Sequence, residues 1–301
     1  MKRVLSNKWN IMVFVLPTVL FFTYIVIFPI FKTLWYSLLN EIPAKIGDQS
    51  HFSGLEHFIK MFTPGRRNSF PGAVVNSLLY AGLSLFIQLP FSMFIALLLA
   101  NGAKGESLYR NIFFIPVVIS SVVVSLLWGR LYKSLLPQMF ESLGWMVPKG
   151  GFLGNDDTKI WLSFVPSLWQ YVGYHMLLMY GALKSIPDDI IEAATVDGAS
   201  GAKLAFRIQI PMIKPMLKVC LSFSLIGSFK LFDTPWVLLE RSNMDLPALS
   251  MYVEMFSNHK YSYASAQAIF IVLECLIFTV ALNILFRDRD KKLSGRRKEL
   301  T

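Results

Sequence analysis

Long apolar stretches alternate with short polar ones along this chain. Six of the apolar stretches approach the ~20 residues needed to cross ~30 Å of hydrocarbon. They run at about Ile11–Leu34, Val74–Ala100, Ile112–Leu131, Lys159–Leu183, Met216–Leu239 and Ala264–Phe286. The pattern predicts an all-α, polytopic membrane protein with six transmembrane helices. The first stretch follows a basic start, Met1-Lys2-Arg3, as a signal peptide would. It is too long for a typical signal core and no small-x-small cleavage site follows, so it is expected to remain as a membrane helix. Pro17, Pro29, Pro90, Pro116, Pro166 and Pro235 fall within spans. Each removes a backbone hydrogen bond, giving either simple packing curvature or a helix bent around a pathway.

Composition supports the membrane reading: 54% of the 301 residues are hydrophobic, more than a soluble domain of this length needs. The net charge of +10 is not a nucleic-acid footprint, because the basic residues cluster beside the spans as topology signals. One side collects Lys2, Arg3, Lys8, Lys104, Arg110, Lys184, Lys203, Arg207, Lys214 and the tail from Arg287 to Lys298. The 35–72, 132–158 and 240–263 loops carry fewer. Both termini and the 184–215 loop are therefore expected in the cytoplasm, and the 287–301 tail reads as a basic cytoplasmic extension. Cys220 and Cys275 lie in apolar segments and predict neither a disulfide framework nor a metal site.

The 184–215 loop is polar, Gly-punctuated and short-helical. Ser185 or Asp188 can cap a helix that Pro187, Asp188 and Asp189 favour at its start. That helix is expected to run to about Ala199, and Gly198 and Gly201 to turn the chain. A second helix, about Ala202 to Ile210, is expected to stop at Pro211. Such a pair presents one rigid knob to a partner, with Glu192, Ala193 and Ala194 on the first helix. An ordinary amphipathic loop lying on the membrane is the alternative.

The loop sequence Glu192-Ala193-Ala194, with Gly198, Ile208, Ile210 and Pro211, resembles the EAA loop of ABC importer permeases. The likeness covers most of the chain. Phe14-Val15-Leu16-Pro17 and Ile27-Phe28-Pro29 resemble the first span of the sugar branch of that family. Phe52-Ser53-Gly54-Leu55-Glu56-His57-Phe58 is similar to the segment after it, with His57 where Asn is usual. Asn76-Ser77, Arg110-Asn111 with Pro116, Phe229-Lys230-Leu231-Phe232-Asp233-Thr234 and Tyr263-Ala264-Ser265-Ala266 match in order and spacing. One departure is the 240–247 loop, which lacks the glycines often found there.

The resemblance implies the type I ABC importer permease fold as a single transmembrane domain over 1–301, of the maltose and glycerol-3-phosphate permease type. It implies a bacterial or archaeal inner-membrane importer of a sugar or oligosaccharide. The partners would be a second permease subunit, two ATPase subunits, an extracytoplasmic solute-binding protein and membrane lipid. The chain itself has no GxxxxGK[ST] phosphate loop, so ATP and Mg belong to the ATPase and this subunit is not an enzyme. Glu192, Ala193, Ala194, Asp197 and Gly198 would couple to the ATPase.

Polar groups inside spans are costly and mark functional candidates. Gln170, Tyr171 and Tyr174 in span four offer the aromatic faces and amides that suit sugars; an interfacial aromatic belt is the alternative, chiefly for Trp169. Lys230 and Asp233, three apart in span five, share a helix face and could pair, either in the pathway or as a structural pair facing the partner subunit. His175 reads as a packed, hydrogen-bonded residue. Glu274, Asn283 and Gln88 are expected to face protein. Two other classes compete. A secondary transporter or channel would favour internal repeats, and none is evident. A membrane enzyme such as a lipid-linked glycosyltransferase would need paired carboxylates or a metal cluster. Asp156-Asp157 is the one adjacent acid pair in an outward loop, and the four histidines have no ligand spacing.

Overall fold

A computed structural model describes residues 8–41, 50–63, 70–148, 150–154, 156–239 and 246–286. The basic N-terminus, the 287–301 tail and most of the glycine-poor 240–247 loop lie outside them, as do the side chains of Asp156 and Asp157. Among the described residues every named element is helical, apart from one isolated bridge between Leu39 and Phe52. The helices are α1 (Met12–Ser37), α2 (Glu56–Phe62), α3 (Phe70–Ala100), α4 (Glu106–Val118) and α5 (Ser121–Ser142). There follow α6 (Asp156–Lys184), α7 (Asp188–Val196), α8 (201–212), α9 (Lys214–Phe229), α10 (Asp233–Leu238), α11 (Pro247–Phe256) and α12 (Tyr261–Leu285).

Three spans differ from expectation. Span three is not one helix: α4 and α5 meet at a 96° bend at Ile119–Ser120, where the backbone turns extended. Pro116 sits one turn before the bend and takes away a hydrogen bond that would hold the helix on. Span five breaks after Phe229, so Lys230 closes α9 while Asp233 opens α10, and they do not share a helix face. Among the described residues four helices, or five with the bent pair, meet the length and apolarity of a membrane span, one short of the six expected. The helix left out is α6. Its 29 residues are long enough, but Ser163, Ser167, Gln170 and His175 dilute its apolar run.

The prolines act through a device that periodicity conceals. Pro29, Pro90, Pro137 and Pro211 each follow a widened π turn, at Thr23–Ile27, Ser84–Gln88, Leu131–Leu135 and Ala205–Gln209. In each case the residue before the proline donates to the carbonyl five residues back: Phe28 to Thr23, Leu89 to Ser84, Leu136 to Leu131, Ile210 to Ala205. The extra residue relieves the clash between the proline ring and the carbonyl four back. The helix therefore continues, and Pro211 does not end α8 as expected.

The chain divides into two compact units, 1–69 with 250–272, and 70–249 with 273–301. In the first, His57 bonds through Nε2 to the carbonyls of Leu39 and Asn40, both at 2.9 Å. This pins the segment after α1 to the start of α2, and the His57 ring meets Tyr263 edge-on. The second unit is built on α6. Met176 and Met179 of α6 are fully buried among Leu89, Met93 and Ala96 of α3. Farther along, Tyr80 of α3, Tyr132 of α5, Phe164 of α6 and Leu238 of α10 form another apolar cluster. In lipid such contacts gain dispersion rather than dehydration, so close approach and interhelical hydrogen bonds matter more. Gly173 of α6 provides the approach: a Cβ there would stand 1.8 Å from the Phe113 carbonyl oxygen of α4. Ser92 donates to the Val172 carbonyl at 3.0 Å, Tyr132 to the Leu162 carbonyl at 2.9 Å, and Tyr80 bonds Ser163.

Candidate functional site

Two regions of the second unit carry candidate chemistry: a cavity among the membrane helices and the 184–215 loop. The cavity has a volume of about 320 Å³. From α3 it is lined by Tyr80, Ser84 and Gln88, and from α4 by Val117. From α6 come Phe164, Ser167, Tyr171, Tyr174 and His175, and from the α9 side Phe223, Ser224, Gly227, Ser228 and Leu231. Residues seven apart on α6 (Phe164, Tyr171) and four apart (Ser167, Tyr171, His175) fall on one face, as helical geometry requires.

A buried polar chain crosses one wall. Ser224 and Ser84 share a hydrogen bond of 2.6 Å, Ser84 donates to Gln88 Oε1 at 2.9 Å, and the Gln88 amide lies 3.3 Å from His175 Nδ1. His175 Nδ1 is also 3.1 Å from the Tyr171 carbonyl, which can only accept. The two contacts compete for Nδ1: protonated it donates to the Tyr171 carbonyl, unprotonated it accepts from the Gln88 amide. Nε2 and the Ser167 hydroxyl are both buried without a hydrogen-bond partner.

Of the sequence candidates, Tyr171 and Tyr174 line this cavity. Gln170 faces elsewhere: its amide donates to the Ile119 carbonyl at 2.9 Å and reaches Ser121 at 3.4 Å, bracing the bend between α4 and α5. Lys230 and Asp233 are exposed and outside the lining. Trp169 packs edge-on against Trp128. Gln88 and His175, expected merely to pack, reach the cavity wall; Pro90, just past Gln88, was the signal for the π turn that turns it there.

The loop is built from its helix ends. Pro187 occupies the cap position of α7 without a side-chain bond, and Ser185 instead bonds back to the Ala182 carbonyl at 2.7 Å, so neither expected cap forms. Asp188 and Asp189 still sit against the positive end of the helix dipole. α7 ends at Val196, three residues early. The Ala199 N–H bonds the Ala194 carbonyl and the Gly198 N–H the Thr195 carbonyl, the paired pattern of a Schellman stop. Gly198 takes φ +79°, which only glycine adopts at no cost. Asp197 and Gly198 thus fix where the knob ends. Glu192, Ala193, Asp197 and Gly198 are exposed and Ala194 is half-buried. Val196 and Phe206 are 88% and 70% exposed, high for apolar side chains.

The loop is anchored at two points. Asn101 at the end of α3 and Gln209 of α8 bond each other reciprocally, at 2.8 and 3.4 Å. Glu106, opening α4, accepts from Tyr180 and pairs with Lys184 at 3.6 Å and Arg110 at 3.9 Å. Both anchors join the loop to helices that line the cavity. Among the described residues no cluster suits a metal ion.

Comparison with known proteins agrees with this architecture. The probable ABC transporter permease protein YurN of Bacillus subtilis (strain 168) is 30% identical, with 93% of this chain and 95% of that protein covered. The sn-glycerol-3-phosphate transport system permease protein UgpA of Pectobacterium atrosepticum is 28% identical over 97% of this chain and 98% of its own. Among solved structures, the bacterial alginate ABC transporter in complex with an alginate pentasaccharide-bound periplasmic protein superposes with a TM-score of 0.78. That match is 23% identical over 93% of this chain and 94% of that one, and shares the fold. Residues 88–291 match the family model of the binding-protein-dependent transport system inner membrane component. Spanning the loop, the last helix and all of the cavity lining but Tyr80 and Ser84, that match makes this chain a member of the binding-protein-dependent transport system inner membrane component family.

Proposed function

We propose that this chain forms half of the translocation pathway of an ATP-driven sugar importer and takes the ATPase stroke through α7. The observation that carries the reading is the family match over 88–291, which makes the chain a multi-pass membrane transport subunit rather than an enzyme. ATP hydrolysis falls to a partner ATPase. Relatives named for sn-glycerol-3-phosphate transport and a fold shared with an alginate transporter support the sugar class. A second permease completes the pathway, two ATPases sit below, and an extracytoplasmic binding protein delivers solute. Both termini lie in the cytoplasm, on the side where Lys104, Arg110, Lys184, Lys203, Arg207 and Lys214 gather.

The loop's design supports its docking role. Glu192 and Ala193 stand exposed on α7, one charge beside a small side chain, and the Schellman stop at Asp197-Gly198 makes α7 a rigid knob. When the ATPases close, the knob moves, and the Asn101–Gln209 and Glu106–Lys184 anchors carry that motion to α3, α4 and α6. The solute cavity lies between those helices and α9, so it is the element with two states that ATP and the loaded binding protein both bias. Co-purification with candidate permease and ATPase partners tests this. The native complex is expected to raise its ATPase rate with loaded binding protein, and Glu192→Lys to lose that rise. A chain that purifies alone and moves solute on an ion gradient without ATP contradicts it.

A further inference from the structure

We propose that α2 lies along the headgroup boundary of the membrane, with Leu55, Ile59 and Phe62 sunk into lipid, and does not stand in water as part of an outward loop. The inference goes beyond the importer reading and takes from it only the side: with the N-terminus in the cytoplasm, α2 belongs to the outer leaflet. The helix is amphipathic in the opposite sense to one that packs on a water-soluble core. Residues advance by ~100° per position, so Leu55 at the cap, Ile59 and Phe62 fall within about 60° of one another, with His57 and Met61 on the opposite face. In water the apolar stripe would turn inward. Here His57 and Met61 are buried, whereas Leu55, Ile59 and Phe62 are 64%, 69% and 50% exposed. Glu56 and Lys60 share one flank and are exposed, where charged heads reach water beside a lipid-facing stripe.

The fold holds this stripe outward. The two His57 bonds to the carbonyls of Leu39 and Asn40 tie the inner face of α2 to the chain just past α1. The Ser53 and Gly54 N–H groups both bond the Leu38 carbonyl, at 2.8 and 3.1 Å, and Leu39 bridges Phe52. Met61 is 1% exposed, and the Phe62 ring meets Phe270 of α12 at 5.6 Å. These contacts fix α2 beside the end of α1, where that span leaves the hydrocarbon. Lipid is the occupant because the stripe continues the exposed apolar end of the span. Trp35, two residues before the end of α1, lies 6.3 Å from the Phe52 ring, and both side chains are exposed. Phe52, Leu55, Ile59 and Phe62 thus carry one apolar surface from α1 onto α2. A tryptophan at the boundary and a helix with an uncharged apolar face and a charged flank are the marks of an interfacial anchor.

The test is fluorescence quenching of a bimane label at Ile59→Cys. The complex of this chain with its permease and ATPase partners is labelled and reconstituted into phosphatidylcholine–phosphatidylglycerol vesicles. The signal of the labelled parent chain, which carries Cys220 and Cys275, is subtracted. A nitroxide high on the lipid acyl chain is expected to quench the Ile59→Cys label more strongly than aqueous iodide does, and a Lys60→Cys label to show the reverse order. Leu55→Ser combined with Phe62→Ser strips the stripe on either side of Ile59 and is expected to roughly halve the lipid quenching. Iodide quenching at Ile59→Cys equal to that at Lys60→Cys overturns the proposal by placing the face in water. Protection from both quenchers overturns it by placing protein there, the second permease or the binding protein. Lipid quenching that is unchanged in the double variant of an assembled complex overturns the stripe as its cause. ATP-driven uptake by the same vesicles reports separately on the importer reading.

Discussion

Gly173→Ala tests the helix packing on which the cavity depends. The added Cβ would meet the Phe113 carbonyl oxygen at 1.8 Å and its carbon at 2.5 Å, both backbone atoms that cannot rotate aside. Contacts of that kind are not seen below 3.0 Å, so α4 must move by more than an ångström. Forced overpacking of this sort costs about 1–3 kcal/mol, and rigid backbone puts it toward the upper end. Alanine would return up to ~1 kcal/mol of helix propensity, which reduces the loss without cancelling it. The displaced helix carries Val117 into the cavity and Glu106 to Lys184, so transport should fall with stability. Gly181→Ala, on the same helix with open space around it, is the control and should be neutral or stabilising by up to ~1 kcal/mol. The assay is thermal unfolding of the purified complex together with uptake in proteoliposomes. A Gly173→Ala protein that melts with Gly181→Ala and transports normally would refute the close approach of α4 and α6.

Other outcomes follow from the same geometry. Gln209→Ala removes both bonds between α8 and Asn101, whose amide keeps only the Leu97 carbonyl, and is expected to keep basal ATPase while cutting solute-stimulated uptake severalfold, read as the ratio of the two rates. Phe206→Ser removes an exposed apolar side chain and should weaken ATPase co-purification without shifting the thermal midpoint of the permease pair. His57→Ala abandons the buried Leu39 carbonyl and the half-buried Asn40 carbonyl and should destabilise by about 1–3 kcal/mol, whereas His57→Asn, which keeps a donor, should lose less; thermal unfolding separates them.

The sequence made some of these features plain and hid others. The turn after α7 was readable from Gly198, because a left-handed glycine closes a helix whatever packs around it, although the helix itself ends three residues before the expected Ala199. Tyr171 and Tyr174 were readable because α6 keeps one helical phase from Ser163 to His175. Ser84 and Gln88 were not, because both belong to the π turn before Pro90, a local widening that a regular helical period does not show. The break between Lys230 and Asp233 escaped for a different reason. Asp233, Thr234 and Pro235 make a sound helix start, but that signal was read as the middle of a longer apolar run. Gln170 was singled out as a polar residue in a span, which it is; its partner, the carbonyl of Ile119, is freed by a bend that apolar periodicity cannot show.

Uptake by proteoliposomes holding this chain with its permease and ATPase partners, with loaded binding protein outside, tests the central claim most directly. The account predicts accumulation of solute that requires ATP at the ATPase, persists when ion gradients are collapsed, and is lost in Glu192→Lys. Accumulation that follows an ion gradient and ignores ATP would contradict it.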